Sequence, residues 1–427
     1  MKSVAWLALW ILASRLFGKR DQLPADADVV LLSVVNAAAV DANGFYTSSY
    51  YGPLVAFLEA RGQHVVHCGL VEGLPWTTVR HLANTRSACV VTFGDFVGFG
   101  DLFTAAFSAI RSRFVPPAPA IARRMAGEMR HARGDIILGI LIERATRRLL
   151  QRLPSARVIH TYENNPWEHA CDVAAREANR SALGYLHCAV LPSHLKNYIG
   201  AGEDELRPAP DRIICTGERS RDVFLSLGEH DPDHVAAACA LRDTDITKLP
   251  LRDAIQRPIK TVLVLLEGIP SVSAALAPIE TAARAMPECK FMLRAHPSLP
   301  LSVIAAHAQV HIGPGIGQLD EAPHGSLSDT ISQADAVIYI GSTAAISAVY
   351  MGVPAIKFVL DDAIEDDPLF AAPVTSPRAR SGENIVTALR AIEAMPPEAF
   401  RANCAALRSY IHEYLTPPGD ETMSVFL

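Results

Sequence analysis

From Asp28 onward, short runs of β-branched and apolar residues alternate with stretches whose apolar positions recur every three or four residues. The first kind reads as strand at Val29–Val35, His64–Cys68, Ala88–Phe93 and Arg157–Tyr162, with Ser181–Val190 and Arg212–Cys215 extending the scheme. Pro53–Arg61 reads as a helix between the first two, and Pro116-Pro117-Ala118-Pro119 as a loop ahead of a long helix. Between Asp243 and Pro258 the periodicity weakens, which marks an interdomain linker. A second cycle follows, with strands at Thr261–Leu266, Lys290–Leu293, Gln309–Ile312, Ala336–Ile340 and Ala355–Phe358. Its helices fall at Val272–Ala285, Ser326–Ala334 and Thr343–Met351, and two closing helices at Asn384–Ala394 and Glu398–Tyr414 contain no proline. Strands separated by helices imply parallel sheets. The predicted fold is α/β, with two Rossmann-like doubly wound domains facing a cleft. Their bounds are 28–245 and 258–415, flanked by an apolar and basic helix at 1–27 and a tail at 416–427.

The amino-terminal run stands outside this pattern. Val4 to Ala13 is unbroken apolar sequence holding Trp6 and Trp10, with Arg15, Lys19 and Arg20 behind it. It is shorter than the about 20 apolar residues that span a bilayer, and Leu12-Ala13-Ser14-Arg15 is a poor signal cleavage site. An interfacial membrane helix, a helix packed on the protein body and a signal peptide are the three readings. Tryptophans beside basic residues favour the first. The expectation is therefore a cytoplasmic protein that touches the inner membrane surface through residues 4–20.

Composition narrows the function classes. The net charge of −6 is carried without long blocks and aromatic residues make up 7% of the chain, so no nucleic-acid partner is expected. Eight cysteines are scattered without a CxxC pair, which reads as small buried side chains in a reducing compartment and as no metal site.

The polar residues that matter lie where strands stop. In an open parallel sheet, ligands bind beyond the carboxyl ends of the strands. Arg294-Ala295-His296-Pro297 closes one strand and Gly341-Ser342-Thr343 another, so these groups are expected to share one phosphate. Ser342 and Thr343 precede a helix whose free amides and dipole favour an anion. The alternative is that one of them only caps that helix. Strand alternation puts Arg294 and His296 on one side. Glu267 and Gly268 follow the first strand of the second half, where a glycine admits close backbone approach.

In the first half the densest polar stretch is His160 to Glu168. Asn165, Pro166 and Glu168 form a capping-box pattern, which makes Glu168 architectural. Glu163 is not required by the cap and is the candidate general base for an acceptor hydroxyl, the alternative being a structural ion pair. Asn43, Tyr46 and Asn164 are candidate substrate contacts, although turn chemistry alone also enriches the loop around Asn43. The acidic run Asp361-Asp362 to Asp366-Asp367 reads as a solvated loop.

At these residues the second half resembles the donor domain of GT-B glycosyltransferases. His296-Pro297 and Ser342-Thr343 resemble the HP and serine/threonine motifs of bacterial sialyltransferases, polysialyltransferases and capsule Kdo transferases. Tyr162 to Glu168 is similar to a stretch of bacterial surface-carbohydrate biosynthesis proteins. The resemblance implies inverting, metal-independent transfer from a CMP-activated sugar to a glycan or glycolipid, with no tightly bound cofactor. It also implies Glu163 as base and His296, Ser342 and Thr343 on the departing phosphate. The acidic-acidic-glycine motif that carries the base in the sialyltransferase families has no copy here. Arg294-x-His296-Pro297 resembles CDP-alditol phosphotransferases too, but their Asp-Tyr-Ser-Ser form is missing at Ser342. A GT-B-like binding component without catalysis is the alternative from another class, and Glu163 discriminates it.

Overall fold

The alternation closes into two all-parallel sheets, one in each of two units. The computed structural model describes residues 3–111, 119–203, 208–242, 246–313, 319–323, 325–360 and 366–427, with backbone only for 119–133. Unit 1 comprises Met1–Cys188, Lys196–Arg242 and Pro417–Leu427; unit 2 comprises Ala189–Leu195 and Asp243–Thr416.

Among the described residues the seven strands of unit 1 are β1 (Val29–Val35), β2 (Val65–Val71), β3 (Cys89–Thr92), β4 (Arg157–Thr161), β5 (Ala182–Leu186), β6 (Arg212–Cys215) and β7 (Val235–Ala237). They lie in the order β3-β2-β1-β4-β5-β6-β7, so the winding reverses between β1 and β4. Successive side chains of β1 serve opposite faces, as the pleat requires. Val30 and Leu32 join a core with Cys68, Val90, Trp10 and Trp167. Val29 and Leu31 join another with Ile159, Tyr185 and Phe426.

Both ends of the described chain are therefore core elements. Helix α1 (Val4–Phe17) buries Leu7, Trp10, Ile11 and Ala13, and Trp6 Nε1 donates to the Gly73 carbonyl at 2.9 Å. The tryptophans expected at a membrane interface are instead packed against the body, where large side chains such as Leu7 and Ile11 each gain about 1.5–3 kcal/mol from burial. Lys19 Nζ donates to the Thr85 carbonyl at 2.7 Å. The residues read as a tail carry a helical turn at Asp420–Met423 and bury Phe426 completely. The Arg157 guanidinium donates to the Phe426 carbonyl at 3.0 Å. No helix among the described residues is long and apolar enough to cross a membrane.

Among the described residues unit 2 has six strands: β8 (Thr261–Leu265), β9 (Lys290–Arg294), β10 (Leu319–Glu321), β11 (Ala336–Tyr339), β12 (Ala355–Phe358) and β13 (Arg378–Ala379). Their order, β10-β9-β8-β11-β12-β13, reverses between β8 and β11. The strand expected at Gln309–Ile312 is a single bridge, Ile312 to Leu319, and the paired strand lies after it. Helix Pro119–Arg152 follows the proline-rich stretch as expected, while residues 116–118 of that stretch lie outside the described residues.

Candidate functional site

The carboxyl ends of β8 and β11 are neighbours in unit 2, and the chain leaves them as Glu267-Gly268 and Gly341-Ser342-Thr343. Side chains crowd close against both glycines. A Cβ on Gly341 would lie 2.5 Å from Glu267 Oε1 and 2.9 Å from Asp366 Oδ2. On Gly268 it would run into Ser298 Oγ and come within 2.8 Å of His296 Nδ1. The two strand ends, the His296 loop and Asp366 thus converge, as the switch point of a doubly wound sheet leads one to expect.

His296 is exposed, and its Nδ1 accepts from the Ser298 amide at 3.2 Å and meets Ser298 Oγ at 2.7 Å. An accepting Nδ1 assigns the proton of the neutral ring to Nε2, which leaves a donor on the open side. Thr343 occupies the N-cap position of the helix Ala344–Met351, but its side chain makes no cap hydrogen bond. Among the described residues neither the Ser342 nor the Thr343 hydroxyl has a hydrogen-bond partner, so both stay available at that helix start.

Beneath them Glu267 joins a charge cluster with Lys357 and Asp366. Lys357, fully buried in β12, donates to Asp366 Oδ1 and to the Ile340 carbonyl. Burial first, and then the nearby Asp366 charge, push the Glu267 carboxyl up, with Lys357 opposing. Glu267 Oε2 is buried without a hydrogen-bond partner. Of the acidic run, Asp361 and Asp362 lie outside the described residues. Asp366 and Asp367 are not the solvated residues expected: Asp366 pairs with Lys357, and buried Asp367 accepts from Tyr339 Oη at 2.9 Å.

Arg294 lies in the same strand end, but its guanidinium donates to the Gly325 carbonyl at 3.0 Å and to Thr330 Oγ1. It braces the short helix Leu327–Ser332. Pro297 is exposed beside His296.

In unit 1 the cap of the helix Pro166–Glu177 forms as the pattern requires. Glu168 Oε2 accepts from the Asn165 and Glu163 amides at 2.7 and 2.9 Å. Burial pushes the Glu168 carboxyl up to about 7. Glu163 is left free of the cap and enters a polar cluster at the ends of β4 and β5. Its Oε1 lies 3.3 Å from His187 Nε2 and accepts from Cys188 Sγ at 3.1 Å. Its Oε2 accepts from Asn165 Nδ2 at 3.3 Å and stands 3.5 Å from Lys196 Nζ. The His187 hydrogen bond, with Cys188 and Lys196 and against partial burial, holds the Glu163 carboxyl well below the usual carboxylate range. Burial and then the Glu163 charge push the Cys188 thiol far up. Tyr50 packs edge-on to the His187 ring at 4.7 Å, and the Arg242 guanidinium lies over Tyr50 at 5.6 Å.

The remaining expected contacts separate. Asn164 takes a left-handed φ of 63° and is buried, with its Nδ2 donating to the Lys196 carbonyl, so it shapes the cluster from behind. Tyr46 is buried against the His67 ring at 4.8 Å, and burial raises its phenol to about 12. Asn43 is exposed in a turn held by Asp41 Oδ1, which accepts from the Asn43 and Phe45 amides.

No protein-family model matches the chain, and no curated protein matches it. Solved structures do. The glycosyltransferase SnogD from Streptomyces nogalater superposes with a TM-score of 0.52 at 16% identity, over 93% of this chain and 98% of its own. MurG from Acinetobacter baumannii gives 0.50 at 13%, over 93% and 98%. A UDP-GlcNAc 2-epimerase from Neisseria meningitidis, solved with UDP-GlcNAc bound, also gives 0.50 at 13%, over 93% and 98%. At such identities the likeness establishes the two-domain α/β fold.

Proposed function

We propose that the protein is a glycosyltransferase using a nucleotide-activated sugar, with the donor phosphate assigned to unit 2 and the acceptor proton to Glu163 in unit 1. The observation that carries the reading is the switch point of the second sheet. There Gly268 and Gly341 let the strand ends close on His296 and Glu267, the His296 ring is exposed with its Nδ1 held by Ser298, and two hydroxyls stand free at a helix start. Such groups are suited to an oxyanion that gains charge as the glycosidic bond to phosphate breaks. The glycosyltransferase neighbour SnogD and the nucleotide-sugar ligand of the epimerase neighbour support the same class. A CMP-linked donor of the sialic acid or Kdo type, and an acceptor in surface polysaccharide, rest on the motif resemblance.

Titration calorimetry with CMP, UMP, GMP and CDP tests the donor side. One nucleotide should bind, and His296→Ala should weaken it about 10- to 100-fold, the worth of a hydrogen bond to a charged group. Absence of binding by all four removes the transferase reading and leaves a binding component. CDP binding with alditol phosphate transfer would turn it into the phosphotransferase. On the acceptor side, Glu163→Gln should lower kcat about 10²- to 10⁴-fold with donor affinity unchanged; unaltered turnover would show that the base lies elsewhere.

The proposed contact with a membrane surface shifts from the tryptophans to the outer faces of two touching helices. Phe103, Phe107 and Ile110 of the helix Phe99–Arg111 and Leu9, Leu12 and Leu16 of α1 are exposed, and Arg15 stands 6.0 Å over the Phe99 ring. Phe103→Asp with Phe107→Asp should abolish co-sedimentation with anionic phosphatidylglycerol vesicles; equal partitioning of wild type and variant would discard the contact.

A further inference from the structure

Three donor atoms of different kinds meet in the unit 1 cluster. Glu163 Oε1 to Cys188 Sγ is 3.1 Å, Cys188 Sγ to His187 Nε2 is 3.2 Å, and His187 Nε2 to Glu163 Oε1 is 3.3 Å. Hydrogen bonding explains two sides of this triangle. The thiol and the imidazole N–H can both donate to the carboxylate, but the close approach of sulfur to nitrogen is then left without a shared proton. A single cation within reach of all three atoms explains every side. Bonds of the usual length from zinc to thiolate, imidazole and carboxylate place tetrahedral ligand atoms roughly 3.3–3.6 Å apart. The observed triangle needs only a small expansion to match.

The surroundings divide the carboxylate in the same way. Asn165 and Lys196 engage Oε2 and leave Oε1 to the triangle. The His187 ring is buried, its Nδ1 has no hydrogen-bond partner, and Tyr50 packs on it edge-on. Nε2 is therefore the nitrogen through which polar partners hold the ring. Among the described residues no other group of three such donors converges. Thiolate, imidazole and carboxylate together match zinc rather than the hard, oxygen-seeking magnesium.

We propose that Glu163 Oε1, His187 Nε2 and Cys188 Sγ form a three-ligand site for a zinc-class divalent cation, with a fourth position for an oxygen ligand. Loading releases the thiol proton to solvent and transfers the imidazole proton to Nδ1. Nδ1–H then faces no acceptor, so the affinity is below that of sites whose histidine is supported from behind. The inference deepens the transferase reading and rests on it only for its role: a ligated Glu163 acts on the acceptor through the metal-bound oxygen instead of as a free carboxylate. It replaces the expectation of metal independence.

Cobalt titration of chelator-treated, full-length protein tests the site. One equivalent should bind with a near-ultraviolet thiolate-to-cobalt band, C188S should lose that band, and H187A should weaken binding at least 10-fold. Failure to saturate near one equivalent, or a band that survives in C188S, would overturn the assignment, since another cysteine would then be the ligand. A second measurement needs no variant. Zinc should raise the Tm of the metal-free wild-type protein and magnesium at the same concentration should not; equal shifts, or none, also sink the proposal. Nucleotide calorimetry reads unit 2 separately, so loss of the metal site and loss of the transferase reading give different results.

Discussion

His160 is buried with Asp172 Oδ1 at 2.8 Å from Nε2, the Thr161 carbonyl at 2.8 Å from Nδ1 and the Glu168 charge nearby. Burial acts to lower the imidazole pKa, but the Asp172 charge and hydrogen bond override it and raise the group to about 9. A histidine raised in the folded state stabilises fully below its unfolded value near 6.5, and that contribution fades as pH climbs through 9. Melting temperature should therefore fall across this window, and Asp172→Asn should flatten the fall; parallel profiles would show that the pair carries no linkage. Lys357 makes a comparable case without titration. Lys357→Met leaves Asp366 and the Glu267 region without their buried cation and should cost about 3–5 kcal/mol, measurable by denaturant unfolding. A loss below 1 kcal/mol would mean that the carboxylates find other partners. His296, Gly268 and Ser342 were legible because polar residues stopping an apolar strand are visible in sequence. Lys357 was hidden inside such a strand, and its partner Asp366 inside an acidic run. His187 and Cys188 were concealed because the run from Ser181 to Val190 reads as one strand, whereas β5 ends at Leu186.

Among the elements, the long central strands were legible and the short edge strands were not. Val29–Val35 and Arg212–Cys215 match their expected bounds, since buried parallel strands are continuous apolar runs. Leu319–Glu321 and Arg378–Ala379 are brief and polar at their outer positions, and nothing in their composition separates them from loop. Helix α1 shows the reverse problem: its pattern was clear but its partner was not. Tryptophan flanked by arginine satisfies an interface between water and lipid, and it equally satisfies the edge of a protein core. Packing decides for Trp10, which is fully buried. Trp10→Ala should destabilise unit 1 by about 3–5 kcal/mol. If it weakens vesicle binding while leaving the unfolding midpoint in place, the helix is an anchor after all.

At the level of the whole molecule, two doubly wound sheets were readable from the rhythm of strands and helices, but the membership of each unit was not. Contiguity along the chain made residues after the last helix look detached, while three-dimensional packing returns Pro417–Leu427 to unit 1. Phe426 lies against Tyr185, with ring centroids 5.7 Å apart. Phe426→Ala should lower the unfolding transition of unit 1 by about 3–5 kcal/mol, and a melt unchanged within about 0.5 kcal/mol would deny the segment a structural part. The return of this segment has a consequence for biosynthesis. The hydrophobic face of β1 is translated early, yet the side chain that covers part of it is translated only after the whole of unit 2. During that interval the nascent amino-terminal sheet stands with one face incompletely sealed, a state that invites chaperone binding and makes loss of Pro417–Leu427 costly to unit 1.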